Sequence, residues 1–596
     1  DIFLDPDPDP ERAWAERKRL FDLPRSSWQD YDKALISEGG GIFPRSAKSI
    51  PLSPAVRIVL GLDKPAATPD EVMIAILKAE VGLLWFGGIG TYIRASTESN
   101  DQAGDRANDA IRITGAELRA KVIGEGANLG CTQLGRIEAA RRGVRLNTDA
   151  IDNSAGVNTS DYEVNIKIAL SIPERGGRLA ADDRNRLLVA MTDDVADLVL
   201  RNNYLQTLAL SLAERRGAGD LGFARRLMQS LEAEGRLDRG VEFLPDEAAL
   251  VERARRGEAL TRPEIAVLLA YAKLALKDEL LGSQVPDDPY LSRELDRYFP
   301  LALRERFPDA VAAHRLRREI IATQLANAIV NRGGPTVVVR LVDQTGADAP
   351  TIAAAYAATR DAFDLTEINR SIDTLDGVVP GATQLKLYAE GQDLLMSRIV
   401  WFIRNIDFAR CSLDEVVAAY RSGVAEVEAG LGEALIGRAR EDWLARAAAL
   451  SSEGVPAALA GRIAALQDLV AAPDIALVAQ RTGRAVTETA QTHFAVGDIF
   501  QLGALSGAAR DIPVSDYFDR LALDRSIDAL AAAHRKLTAE VAAQGQPGLA
   551  AVAAWSKARG VEIGRIRAAV DSIVASGLTL SKLTVAASLL GDLAKE

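Results

Sequence analysis

Apolar and polar positions follow two rhythms along this chain, and the change comes near residue 170. Before it, short apolar runs are each closed by glycine or polar residues. Val81–Phe86, Lys121–Ile123 and Arg145–Leu146 read as strands, and Cys131–Ala140 reads as a helix behind the second of them. Strands alternating with helices predict βαβ units and a parallel sheet. From about 171 onward the chain is rich in Ala, Leu and Arg, with apolar residues at helical spacing. Val195, Leu198 and Val199, then Leu205, Leu208 and Leu212, mark the stripe. The expected fold class is α/β plus all-α: a partial Rossmann-like nucleotide-binding domain on a parallel sheet, followed by a large helical domain.

The charged stretch Glu252–Glu258 precedes a legible helix start, Thr261-Arg262-Pro263-Glu264. This is a capping box, in which the Thr hydroxyl accepts the N3 amide and Glu264 reaches back. The domain change is therefore placed near 255. Residues 1–255 form the first domain, α/β to about 170 and then bridging helices; residues 256–596 form the second. Inside the helical half, Thr345–Leu365 aligns without gaps on Thr482–Leu502, with seven identical positions. A duplicated helical hairpin and chance similarity between amphipathic helices both account for that match. Two copies are too few to indicate a solenoid.

Composition narrows the chemistry. Of 596 residues, 71 are basic and 83 acidic, giving a net charge of -12. That balance argues against a nucleic-acid surface. Two cysteines in so long a chain suit a reducing compartment better than a disulfide scaffold. The three histidines, His314, His493 and His534, all lie downstream of the glycine loops, which excludes a His-based metal site or Ser-His-Asp triad before them. The longest apolar run, Ile265–Ala272, is ended by Lys273 and falls short of the roughly 20 residues of a membrane span. No signal peptide is evident. The chain opens on Asp1-Ile2-Phe3-Leu4 without a methionine, and Ile2–Leu4 looks like the tail of a strand, so the chain is expected to be a piece of something longer.

Two glycine loops carry the candidate chemistry. Gly124-Glu125-Gly126-Ala127-Asn128-Leu129-Gly130 joins an apparent strand to an apparent helix, as a dinucleotide fingerprint does. Its spacing is one residue too long for G-x-G-x-x-G, and Asp149 lies 25 residues past Gly124. A pyrophosphate seat and a plain strand-to-helix turn both remain open. Gly87-Gly88-Ile89-Gly90-Thr91 follows the strand at 81–86. Loops at the carboxyl ends of neighbouring parallel strands face one crevice, where ligands bind. A third element, Asp152–Glu163, contains a second capping box: Ser160 and Glu163 ahead of a helix expected over Asp161–Leu170. A helix N-terminus there favours a carboxylate, and the Ser160 hydroxyl could donate to it.

Together these segments resemble the large bacterial NAD-dependent glutamate dehydrogenases. The carrying residues are "LLWFGGIGTYIRAS" (83–96), "GDRANDAIRI" (104–113), "VIGEGANLGCTQLGRIE" (122–138) and "NTDAIDNSAGVNTSDYEVNIKI" (147–168). "IFLDPDPDP", "LPRSSWQDYD" (23–32), "LTRPEIAVLLAYAK" (260–273) and "NAIVNRGGPT" (327–336) belong to the same pattern, so the resemblance covers essentially the whole chain. It implies NAD as cofactor, L-glutamate and 2-oxoglutarate as substrate and product, and a cytoplasmic homo-oligomer without nucleic-acid or membrane partners. It places the loop of Gly126 and Asn128 at the nicotinamide end, with Asn128 bonding the ring or its ribose. Gly87 and Gly88 match the loop running beside the cofactor. Val157 and Ser160 match contacts to the substrate's side-chain carboxylate.

The same resemblance puts the pyrophosphate loop, the ribose-binding acid, the catalytic lysine and the general-acid aspartate upstream of this chain. No residue here takes those roles, and the chain alone is expected to be inactive. Lys121 reads as a strand-edge or surface residue. One departure stands out: Gly82 occupies a position that is usually acidic in the strand entering the first loop. Two other readings fit the same residues. One is a non-catalytic helical scaffold with a remnant nucleotide-binding fold; the other is a dehydrogenase for a different amino acid.

Overall fold

The strand signals at 81–86 and 121–123 become one parallel ladder. In the computed structural model, which describes residues 1–514, 516–546 and 548–594, eight short strands form four two-stranded sheets. β1 (Ile2–Leu4) pairs antiparallel with β2 (Gly41–Phe43), and β3 (Ile50–Pro51) with β4 (Ala66–Ala67). β5 (Leu83–Phe86) runs parallel to β8 (Val122–Glu125), with Trp85 opposite Gly124; β6 (Ile93–Arg94) runs parallel to β7 (Ile113–Thr114). Hydrogen bonds extend the β5–β8 ladder back to Val81 and Gly82. On the other edge of β8, Arg145 makes a parallel bridge to Val122, with Ile123 N–H donating to its carbonyl. The third strand signal is thus a single bridging residue. Everything else is mostly helix, so the fold is a helical one carrying small parallel and antiparallel sheets.

Alternation explains the packing of this region. Phe86, Ile93, Ile113 and Ile123 point into one buried cluster with Leu77, Leu118, Cys131, Ala139, Val144 and Leu146. A second cluster gathers Ile2, Leu4, Ile50, Leu52, Val56, Leu60 and Val72. The helix behind the second glycine loop spans Gln133–Arg141 and is capped by Thr132, whose hydroxyl accepts the Gly135 amide at 3.0 Å. Both cysteines are free, Cys131 buried and Cys411 exposed.

The chain divides into two units. One comprises residues 1–210 and 237–268, the other 211–236 and 269–596. In the first unit the expected box at Thr261 forms with a different polarity. The Glu264 carboxylate accepts both the Thr261 amide and the Thr261 hydroxyl at 2.7 Å, and takes Arg253 as a bidentate partner at 2.9 and 2.7 Å. A buried guanidinium needs a carboxylate held in place, and the threonine hydroxyl turns to donate to it.

The second unit shows the repeat, and shows it to be longer than the sequence match. Helices Val337–Thr345 and Ala472–Thr482 both end on a left-handed glycine, Gly346 at φ 74° and Gly483 at φ 66°. Helices Ala349–Ala362 and Val486–Ile499 follow. Each then turns through a non-glycine residue in the same left-handed conformation, Asp364 (φ 50°, ψ 39°) and Gln501 (φ 50°, ψ 37°). Leu365–Asp373 and Leu502–Ala509 come next, then the long helices Gly381–Asn405 and Tyr517–Ala542, each packed on its own copy's Ala349–Ala362 or Val486–Ile499. Phe363, Leu365 and Ile368 are buried, as are Phe500, Leu502 and Leu505. A matched pair of non-glycine left-handed residues is costly backbone, so its recurrence at the aligned positions favours duplication over chance.

Within the second copy, His493 and His534 stack with ring centroids 3.6 Å apart. His493 Nδ1 lies 2.9 Å from Thr538 Oγ1, and His534 Nε2–H donates to the His493 carbonyl at 2.8 Å. Asp474, whose charge acts on His534, pairs with Arg535 at 2.6 Å. Burial, reinforced by His534, pushes the His493 imidazole well below its ordinary value, and burial takes His534 down to about 4. Both rings are therefore neutral at pH 7. Unfolded imidazoles titrate near 6.5, so between about 6.5 and 4 the unfolded chain binds more protons than the folded one. Stability is expected to fall as pH falls through that window, by about 3 kcal/mol for His534 alone. Thermal midpoints from pH 7.5 to 4 check this. His534→Gln should flatten the slope, and an equal slope in wild type and variant would exclude the pair as its source.

Candidate functional site

The carboxyl ends of β5 and β8 lie side by side, so both glycine loops leave the sheet at the same edge. The first loop, 87–91, is tied down from "GDRANDAIRI". Asp105 accepts the Thr91 amide at 2.8 Å and the Asn108 side-chain amide at 2.6 Å, and those bonds hold its carboxyl below the usual range. Arg112 Nε donates to the Thr91 carbonyl at 2.8 Å and its Nη1 to Asp109 at 2.5 Å. This clamp anchors the loop from its far end, where Gly82 offers no side chain at the near end. A Cβ on Gly87 would meet Trp85 Nε1 at 3.4 Å, ordinary contact, and one on Gly88 would meet nothing within 4 Å. The protein itself requires glycine at neither position, which leaves open space beside this stretch of backbone.

The second loop is built around a buried charge. Glu125 is 0% exposed. Arg136, from the first turn of the following helix, grips it with Nε at 2.7 Å and Nη2 at 2.8 Å, and the Cys131 amide adds a third bond at 3.0 Å. Arg136 also reaches Asp149 at 3.0 Å. The carboxylate partner holds the guanidinium's pKa above its ordinary value despite burial. Asp149 in turn accepts the amide of Leu129, and Asp152 accepts the amide of Glu125, both at 3.0 Å. Leu129 sits at φ 62°, a conformation that disfavours a leucine, and its side chain is exposed. Three carboxylates thus fix the backbone on either side of Asn128.

Gly124 and Gly126 turn out to serve a neighbouring side chain. A Cβ on Gly124 would stand 2.5 Å from Cε3 of Trp85, and one on Gly126 would be closer still to Cζ2. The indole lies across both positions. The space above them holds an aromatic ring of this chain, which speaks against a pyrophosphate seat and for a close-approach turn.

The third element differs from expectation. The helix over Asp161–Leu170 begins earlier: a short helix Asp149–Asp152 hands over at Asn153 to a long one, Ser154–Arg175. Ser160 is therefore inside a helix and caps nothing, and Glu163 pairs with Lys167 one turn on. The first turn of the helix lies at Ser154, six residues before Ser160. Val157 (77% exposed) and Ser160 lie three residues apart on one exposed face. Among the described residues no hydrogen bond joins either to the glycine loops.

Asn153 does join them. Its Nδ2 donates to Asn128 Oδ1 at 2.8 Å, so the Asn128 loop abuts the start of the long helix. That start is further held by Asn203, which donates to the Ile151 carbonyl at 2.7 Å and the Ser154 hydroxyl at 3.1 Å, and by Asn202, which donates to Asn158 at 2.9 Å. Asp105, Arg112, Glu125, Arg136 and Asn153 are not singled out by the sequence, which offers Asp149 only as the acidic residue of a dinucleotide fingerprint. The spacing D-x-x-N-x-x-x-R in 105–112 was the readable signal for the first two.

This geometry can be set beside known proteins. Residues 1–213 match the family described as bacterial NAD-glutamate dehydrogenase, catalytic domain, and residues 257–592 match glutamate dehydrogenase, C-terminal. The chain is 46% identical over 542 residues to the NAD-specific glutamate dehydrogenase of Pseudomonas aeruginosa, covering 91% of this chain and 33% of that protein. The Halomonas elongata protein of the same name is 44% identical over 540 residues (91% and 33%), and the Mycobacterium tuberculosis one 39% over 596 (98% and 36%). The chain spans about a third of the length of these relatives. With one family description matching more than half of its residues and a second matching its first 213, the chain belongs to the bacterial NAD-dependent glutamate dehydrogenase family.

Proposed function

We propose that the chain supplies the nicotinamide side and the substrate-carboxylate side of an NAD-dependent glutamate dehydrogenase, which converts L-glutamate to 2-oxoglutarate and ammonia with formation of NADH. The observation that carries this reading is the Asn153–Asn128 bond. It brings the family's E-G-A-N loop against the start of the helix bearing Val157 and Ser160. Asn128 gives its oxygen to Asn153 and keeps its amide N–H groups for a ring carboxamide or ribose hydroxyl. Gly87 and Gly88 border the open side. NAD, when bound, supplies the hydride acceptor; the residues of this chain orient the ring against the substrate and hold the substrate's side chain.

The parallel pairs β5–β8 and β6–β7 are read as part of a Rossmann-like sheet, with 1–255 as the catalytic portion. Residues 256–596 are read as a helical module for assembly or regulation in a cytoplasmic homo-oligomer. In support, no single helix among the described residues is long and apolar enough to cross a membrane.

The test is NADH formation from glutamate and from norvaline by the complete protein and its Ser160→Ala variant. Mid-helix, alanine is the better helix former, so stability is expected to hold or rise by a few tenths of a kcal/mol. Losing a hydrogen bond to a charged carboxylate costs about 1.5–3 kcal/mol, roughly 10- to 150-fold in kcat/KM for glutamate. Norvaline, lacking the carboxylate, should be spared. Equal losses for both substrates would remove Ser160 from the specificity site.

A further inference from the structure

Trp85 is unusual for its position. It is the third residue of a four-residue parallel strand, where side chains are ordinarily covered on both faces. Yet it is 59% exposed, and its neighbours on the same face, Leu83 and Val122, are exposed as well. The ring is not loose. One side of it rests on the backbone of Gly124 and Gly126, where any side chain would collide with it, and its Nε1 edge borders Gly87. Glycines from both loops therefore frame a single indole, at the carboxyl ends of parallel strands, where doubly wound sheets bind ligands. More than half of the residue stays exposed in this chain.

A tryptophan face is the strongest aromatic partner for a cation and a good partner for a flat ring. The oxidised nicotinamide ring is both flat and positively charged. The reduced ring is uncharged.

On the reading that this chain forms the nicotinamide side of the cleft, we infer that Trp85 is the cofactor-ring platform: its indole, seated on Gly124 and Gly126, stacks on the nicotinamide and favours the oxidised, charged form. The glycines at these two positions then follow from the indole's need for a flat seat against bare backbone. The platform adds to Asn128, which fixes the ring's polar edge while the indole fixes its plane.

The experiment is calorimetric titration of the complete protein with NAD+, NADH and ADP-ribose, which lacks the nicotinamide. It compares wild type, Trp85→Leu, Trp85→Phe and Gly126→Ala. Trp85→Leu is expected to raise Kd for NAD+ by about 3- to 30-fold, the range of a cation–π contact, to raise that for NADH by less, and to leave ADP-ribose unchanged. Trp85→Phe should keep most of the NAD+ affinity. Gly126→Ala, which displaces the indole without removing it, should reproduce the NAD+-selective loss. Equal losses for NAD+ and NADH, parallel losses that include ADP-ribose, or no loss at all would overturn the inference. Failure of wild type to bind NAD+ would instead overturn the reading on which it rests.

Discussion

Replacing Arg136 with methionine is expected to destabilise the fold by about 3–5 kcal/mol, the largest effect of any single change considered for this site. The reason is the partner left behind. Glu125 is wholly buried, and Arg136 supplies two of the three hydrogen bonds its carboxylate accepts, the Cys131 backbone amide the third. Without the guanidinium, a charged group would stay in a low-dielectric interior with one backbone amide for company. Asp149 would lose its cation too, while still holding the Leu129 amide. Denaturant midpoints of the whole chain measure the loss. The double variant Glu125→Leu/Arg136→Met should recover most of it, since removing both charges removes the unpaired one. A single-variant loss below about 1 kcal/mol would mean that the pair is solvated. Recovery of stability without recovery of NAD affinity would show that the pair's task is the loop's shape, because Cys131 would still have lost its acceptor.

The ladder and both glycine turns were legible because they rest on local signals: a short apolar run, a stop, and glycines at close-approach positions. The helix start at 154 was not. Ser160 and Glu163 fit the S-x-x-E pattern, but the same spacing sits equally well inside a helix, where Glu163 faces Lys167. The true start carries no side-chain cap at Asn153, because it continues a preceding short helix. Asn153 is spent on Asn128 instead. Glu125 was hidden for a related reason. Between two glycines it reads as filler, and only the fold shows that Arg136, eleven residues on in the following helix, enters to neutralise it. The repeat was half-visible because its most diagnostic residues, Asp364 and Gln501, hold a conformation for which sequence leads one to expect glycine.

Asn128→Ala should leave the fold intact and cost on the order of 100-fold in turnover of the complete protein, the penalty for a reacting ring misplaced by about 1 Å. Intact folding is expected because Asn128 is exposed and makes a single side-chain hydrogen bond, to Asn153. That bond also lets the two explanations of a loss be separated. If Asn128 acts only by tethering the helix start, Asn153→Ala breaks the same tether and should reproduce the loss. If its free amide N–H groups bond the nicotinamide or ribose, Asn153→Ala should cost far less, and Asn128→Asp should be as damaging as alanine. Aspartate keeps the oxygen that Asn153 uses but removes the donor, and it adds a negative charge beside the carboxylates of Asp149 and Asp152. The readings are kcat with glutamate at saturating NAD, and thermal midpoints for all three variants. Unchanged kinetics in Asn128→Ala would leave the Gly124–Gly130 loop as a tight turn that seats Trp85 and Glu125, with no contact of its own to the cofactor.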